Sequence, residues 1–125
     1  MAPALLVPPC PPWPRFDNLR VYHLARQVLR TVAVITADAP GFGDLSSQRR
    51  RAAISVVSNI CEGSASGQDR QFTRYLNIAR ASCNELQGQL AILNDLGYLE
   101  GEHPVLDQVD HLGRSLSKLI LSMSG

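Results

Sequence analysis

Residues 72–93, FTRYLNIARASCNELQGQLAIL, contain the clearest hydrophobic period of the chain. Apolar side chains recur there at alternating spacings of four and three: Phe72, Leu76, Ala79, Cys83, Leu86, Leu90 and Leu93. A mean repeat of 3.5 residues is typical of helices that pack side by side through a continuous seam. Gly97 follows at the position where helices often close with a left-handed residue. The stretch therefore predicts a long helix of a bundle.

Two other segments repeat this pattern. The first, from about Asp17 to Ala37, has Val21, Ala25, Val28, Val32 and Ile35; the last, with Pro104 in its first turn, has Val105, Val109, Leu112, Leu116, Leu119 and Met123. The connections DAPGFGD, GSASG and GYLEGEH are short and rich in turn formers, which favours antiparallel neighbours. No segment has a strand pattern. We therefore predict an all-α fold, an antiparallel up-and-down four-helix bundle.

The remaining segment, QRRRAAISVVSNICEG (residues 48–63), has a wider apolar arc than a surface helix of a bundle needs. Projected at about 100° per residue, its apolar side chains span an arc of about 200°. This predicts two partners, the core of the bundle and a neighbouring subunit, because a monomer would leave several of Ala53, Ile54, Val57 and Cys61 in water.

The three consecutive arginines, Arg49, Arg50 and Arg51, open this segment although cations are disfavoured in the first turn of a helix. Arg49 and Arg50 project inside the apolar arc, and Arg51 projects outside it. One interpretation is that they extend to solvent at a bundle end or pair with acidic residues across a subunit contact. The other is that oligomerisation gathers all three into a ring that binds a polyanion.

A polar row follows the arginines on one side of the same helix. It consists of Ser55, Asn59 and Glu62, with Gly63 after them, and Ser82 and Glu85 are expected to face it from the third helix. We interpret the row as bracing the turn into the third helix, with Gly63 permitting a sharp exit. A shared binding site is the alternative.

Composition predicts one helical domain and a tail. The 125 residues are 45% hydrophobic, which is enough for a core, and residues 1–14, MAPALLVPPCPPWP, contain six of the eight prolines. We divide the chain into a proline-rich tail, residues 1–15, and a bundle domain, residues 16–125. The tail lacks the basic start of a secretory signal, and the longest later uncharged run is too short to span a bilayer. We expect a cytoplasmic protein without a membrane partner.

Charge and reactive side chains indicate binding and not catalysis. The formal net charge is +1, so nucleic-acid affinity does not follow from the total charge, although eleven of the twelve basic residues are arginine. The three cysteines, Cys10, Cys61 and Cys83, show no paired motif and read as small hydrophobes. His103, Asp107 and His111 recur at four-residue spacing, which we interpret as a solvated helix face; a site for a divalent metal ion is the alternative. No catalytic residue, metal or cofactor is predicted.

The runs LSSQRRRAAISVVSNICEG, QFTRYLNIARASCNELQGQL and LGYL together resemble the family called four-helix bundle proteins. That family includes the protein encoded by intervening sequences of bacterial large-subunit ribosomal RNA genes and the accessory variability determinant of diversity-generating retroelements. The resemblance extends from about Phe16 to Leu121. Its most specific positions are Gln48, Arg50, Ala52, Ser55, Asn59, Ile60, Glu62, Gly63, Ala79, Ser82 and Glu85.

The resemblance implies a ring-like homopentamer without a recognised catalytic centre. In the retroelement members it also implies binding of a reverse transcriptase and of nucleic acid through a basic surface. This chain departs from that pattern because it is nearly neutral and has a single lysine. We therefore predict a non-enzymatic homo-oligomer that binds RNA, DNA or a reverse transcriptase through Arg49, Arg50 and Arg51. The alternative is a structural or protein-interaction scaffold with no nucleic-acid role.

Overall fold

A computed structural model describes residues 19–35, 41, 43–99, 101 and 103–124. These residues form four α-helices and no strand: α1 (Arg20–Ala33), α2 (Leu45–Ala65), α3 (Asp69–Asp95) and α4 (Pro104–Ser124). The predicted all-α class and the four helices are therefore confirmed. The proline-rich tail and the predicted bounds of the first helix, Asp17 and Ala37, lie outside the described residues.

Each helix packs on two others. The helix α2 contacts α1 and α3, and α4 contacts α3 and α1, while the described parts of α1 and α3, and of α2 and α4, have no Cα atoms within 8 Å of each other. One hydrophobic core lies between the four helices. Within the described ranges, no helix has both the length and the apolar character that crossing a membrane requires.

The helix α3 follows the sequence prediction closely. All seven residues of its predicted seam are buried. Its end is closed by Gly97, whose φ is +79°, as predicted. The N–H of Gly97 donates to the carbonyl of Asn94 at 3.1 Å, and that of Tyr98 donates to Leu93 at 2.9 Å. These two bonds satisfy carbonyls that the helix itself leaves unpaired.

The helices α1 and α4 also bury their seams, with one difference near the end of α4. All five predicted core residues of α1 are buried, as are Val105, Val109, Leu112 and Leu116 of α4. Further along, Ile120 is buried, whereas Leu119 and Met123 are only partly buried. A straight helix has 3.6 residues per turn and drifts from a strict seven-residue repeat by about 20° per heptad, which rotates Ile120 into the core.

The helix α2 begins earlier than predicted. The side chain of Asp44 accepts a hydrogen bond from the N–H of Ser47 at 3.1 Å, and the helix starts at Leu45. The prediction that the arginines open this helix is therefore wrong. They lie in the second turn, where the unfavourable interaction between a cation and the helix dipole has largely decayed.

Candidate nucleic-acid and subunit interfaces

The three consecutive arginines lie in three different environments. Arg49 is only 1% exposed, and Arg50 and Arg51 are exposed. Successive helical residues are about 100° apart, so Arg49 falls on the core side of α2 with Val56 and Ile60. The prediction that all three arginines share one surface is therefore wrong, because Arg49 lies inside its own chain.

Arg49 links α2 to the end of α1. Its Nη2 atom donates a hydrogen bond to the carbonyl oxygen of Ile35 at 3.5 Å. This carbonyl lies just beyond the C-terminus of α1, where backbone oxygens lack helical partners and carry partial negative charge. The guanidinium therefore contributes to the packing of α1 against α2.

Arg50 belongs to a partly apolar row on the outside of α2. Ile54 follows it by four residues and is 51% exposed, and Val57 and Cys61 continue the row with partial exposure. We call Ile54, Val57 and Cys61 the α2 stripe. The predicted apolar surface beyond the core is present, but only Ile54 is fully part of it, since Val57 also packs against the core and Cys61 is half-buried. It does not include Ala53, which is buried.

Arg51 lies beside a groove between α2 and α3. Its Nη1 atom donates to Ser47 Oγ at 2.9 Å. The groove has a volume of about 270 Å³ and is lined by Gln48, Arg51, Ala52, Ser55, Ser82 and Glu85. Five of the predicted site residues therefore meet in one place. Because one cation and one carboxylate line the same groove, it has no strong preference for a polyanion.

The polar row joins α2 to α3 through one of its residues. The hydroxyl oxygens of Ser55 and Ser82 share a hydrogen bond of 2.8 Å. Asn59 Nδ2 donates to the carbonyl of Ser55 at 2.8 Å and to its Oγ at 3.1 Å. The interpretation that Asn59 braces the next turn is therefore wrong, since it bonds one turn back in its own helix. Glu62 lines a separate groove with Gln68, Arg74 and Tyr75.

Gly63 serves close packing between these helices. A Cβ atom at this position would lie 2.7 Å from Tyr75 Cβ and 3.0 Å from Phe72 Cδ1. The expected sharp exit at Gly63 is wrong, because α2 continues to Ala65. The left-handed residue of this connection is Gly67, with a φ of +75°.

Sequence reasoning missed a basic face on α1. This helix has the sequence RVYHLARQVLRTVA, with no acidic residue, and Arg20, Arg26 and Arg30 are all exposed. Together with His23 they project on one side of the helix, opposite the buried seam. We call Arg20, His23, Arg26 and Arg30 the α1 basic face. The sequence does contain a signal for this face, because the fourteen residues of α1 include three arginines and no carboxylate.

The described cysteines are not activated as nucleophiles. Cys83 is fully buried, and its Sγ donates to the carbonyl of Val109 at 3.6 Å. Burial, with a smaller contribution from the charge of Asp110, raises the pKa of Cys83 to about 11. Burial also raises the pKa of the half-buried Cys61. Both thiols therefore stay protonated near neutral pH, which makes them poor nucleophiles.

His103, directly before α4, and His111, within α4, have different partners. His103 Nδ1 accepts the N–H of Val105 at 3.1 Å, and His111 Nε2 lies 3.4 Å from Nη2 of Arg20. In the part of the chain that the structure describes, no three His, Cys, Asp or Glu side chains are grouped closely enough to hold a metal ion.

Comparison with known proteins identifies the family. The model of the family described as "23S rRNA-intervening sequence protein" matches residues 17–120. No curated protein matches the chain. The family match spans α1, α2 and α3 entirely and most of α4, and it agrees with the resemblance carried by the arginine segment and the α3 seam. The chain therefore belongs to the 23S rRNA-intervening sequence protein family.

Proposed function

We propose that the protein is a non-enzymatic binding protein that acts as a homo-oligomer and binds nucleic acid through the α1 basic face. In this proposal each subunit is an antiparallel up-and-down four-helix bundle. The carrying observation is the acid-free helix α1, on which three exposed arginines share one side. Assembly repeats this side once per subunit, so a chain with a net charge of only +1 presents several basic faces.

The α2 stripe supports self-association. Ile54 is half exposed, and Val57 and Cys61 lie in the same row. Covering apolar surface contributes roughly 25 cal/mol per Å² removed from water, and one identical stripe is present on every copy. A ring-like homopentamer is the assembly that the family resemblance implies.

The arginines of α1 support recognition of phosphates. Arginine offers a planar fork of donors that matches phosphate oxygens, and such contacts are largely independent of base sequence. On α4, by contrast, Arg114 donates to the Asp110 carboxylate at 2.6 Å, which offsets its charge. RNA is the first ligand to test because the family is named for 23S rRNA.

A scaffold without a nucleic-acid role is the second candidate. It is favoured by Arg49, which serves packing inside the chain, and by the nearly balanced total charge. In that case the α1 basic face would be an ordinary solvated surface.

Replacement of arginines on two different helices tests the proposal. The variant Arg26→Gln/Arg30→Gln removes two charges from the α1 basic face. The control variant Arg70→Gln/Arg74→Gln removes two exposed arginines from α3. Binding to a fluorescent single-stranded RNA is followed by anisotropy at low and rising salt, and light scattering reports the mass of each assembly.

We expect the unmodified chain to bind RNA at low salt and to release it as salt rises, because each neutralised phosphate frees counterions. The α1 variant should bind more weakly and with a smaller salt dependence, whereas the α3 variant should bind like the unmodified chain. Failure of the unmodified chain to bind at low salt would establish the scaffold. Equal loss in both variants would show that total charge, not α1, governs binding.

A further inference from the structure

A second group of exposed apolar side chains lies at the end of α3. Ile92 is 42% exposed, and Leu96 and Tyr98 are each 43% exposed. Ile92 and Leu96, the C-cap of α3, are one turn apart, and Tyr98 follows Leu96 by two residues. We call Ile92, Leu96 and Tyr98 the α3 end patch. Each chain therefore has two apolar groups on different helices, this patch and the α2 stripe.

The two groups cannot cover each other within one chain. The side of α2 that meets α3 is marked by Ser55, which bonds to Ser82, and by Gly63, which lies against Tyr75. Val57 follows Ser55 by two residues and so lies about 200° further around α2. The α2 stripe therefore faces away from its own α3, and Ile54 and the α3 end patch remain exposed to water in an isolated copy.

The two groups have opposite charges beside them. Arg50 continues the row of the α2 stripe one turn before Ile54 and is exposed. Beside the α3 end patch, Asp95 is exposed, and residues 81–99 contain no lysine or arginine. Stripe and patch thus match in apolar character and complement each other in charge.

We propose that copies of this chain associate head to tail, with the α2 stripe of one copy packed against the α3 end patch of the next. This inference rests on the proposed homo-oligomer and adds which two surfaces meet. If the α2 stripes of two copies packed against each other, both α3 end patches would stay exposed to water. A head-to-tail contact instead covers one stripe and one patch at every interface. Contacts of this kind close into rings when the rotation between copies allows it.

Single aspartate substitutions in the full chain test the two surfaces separately. The variant Ile54→Asp damages the stripe, and Leu96→Asp damages the patch. The control Ile78→Asp changes an isoleucine of α3 that is 40% exposed and lies outside both groups. Sedimentation velocity reports assembly at micromolar concentration, and far-UV circular dichroism checks that each variant keeps its helices. We expect monomers from both test variants and an unchanged oligomer from the control.

Mixing the two monomeric variants provides the decisive measurement. Ile54→Asp keeps an intact patch and Leu96→Asp keeps an intact stripe, so the mixture should form a one-to-one dimer that cannot grow. Assembly of Leu96→Asp like the unmodified chain, or absence of the mixed dimer, would overturn the head-to-tail contact while the homo-oligomer stands. A monomeric unmodified chain would instead overturn the proposed homo-oligomer itself.

Discussion

The helices α2 and α3 pack side by side, yet a strict apolar period locates the core of only one of them. On α3 every residue of the apolar period is buried. On α2 a charged residue, Arg49, is buried while an apolar residue, Ile54, is half exposed. Where apolar residues recur with a strict period, as on α3, the period identifies the core even though Ile78 and Ile92 outside it are exposed. Where the apolar residues cover more of the helix surface than the core contacts, as on α2, the position of a residue around the helix determines whether it is buried. Its hydrophobicity does not.

Arg49 can occupy the core side because its side chain has two distinct parts. The aliphatic stem packs like a hydrophobic residue, and the guanidinium reaches the carbonyl of Ile35 at the end of α1. Arg50 is turned by about 100° and lies in the row of the α2 stripe. Two neighbouring arginines therefore have different physical roles.

The largest effect is expected from separating these two arginines. Arg49→Ala removes a long buried side chain and its hydrogen bond, and should lower the free energy of unfolding by about 2–5 kcal/mol. Arg50→Ala changes an exposed side chain and should stay within about 0.5 kcal/mol. Urea denaturation followed by circular dichroism measures both, at a single protein concentration because subunit association also contributes. Equal effects of the two substitutions would contradict the assignment of Arg49 to the core.

Much of the fold could be predicted because it follows from local rules. A few neighbouring residues are enough to predict each of these features: the buried seams of α1 and α3, the left-handed Gly97 after α3, and Pro104 in the first turn of α4. The start of α2 was missed because the Asp44 cap lies before the apolar segment, five residues ahead of Arg49. Caps have small energies and short sequence signals, so they are less distinct than a seven-residue seam.

The site could be predicted only in part, because its geometry depends on contacts between helices. The spacing of Ser55 and Ser82 within their own helices was enough to place them on facing sides. The environment of Arg49 was not predictable, since it depends on how the end of α1 approaches α2. Gly63 was misassigned for the same reason: its function is to admit Tyr75, a residue of another helix.

Replacing one glycine on α2 and one on α3 by alanine should change the free energy of unfolding by intermediate amounts of opposite sign. A Cβ at Gly63 on α2 would overlap Tyr75 Cβ at 2.7 Å, whereas one at Gly88 on α3 would meet nothing within 4 Å. Gly63→Ala should therefore destabilise the fold by about 1–3 kcal/mol through overpacking. Gly88→Ala should stabilise it by about 0.5–1 kcal/mol, because alanine loses less backbone entropy in a helix. Thermal unfolding of both variants checks this, and a stabilised Gly63→Ala would show that α2 and α3 approach less closely.

At neutral pH the smallest effect is that of the thiols of the two helices, because it appears only in alkali. The pKa of Cys83 on α3 rises from an ordinary value of 9.0 to about 11 because burial disfavours the thiolate. Below the ordinary value the thiol is protonated in both the folded and the unfolded chain, so Cys83 adds no pH dependence there. Above it the unfolded chain releases this proton while the folded chain retains it.

The free energy of unfolding should therefore fall as pH rises from about 9 to about 11, since the folded state binds more protons in that range. Cys83→Ala should reduce this slope, although it also changes packing, so slopes and not absolute stabilities are compared. Cys61→Ala on α2 is the matched control. Its thiol is only half buried and should contribute less to the slope. Urea midpoints measured across this pH range for the three proteins provide the test. If Cys83→Ala keeps the full slope, other groups titrate there and the Cys83 thiol is not protected by the core.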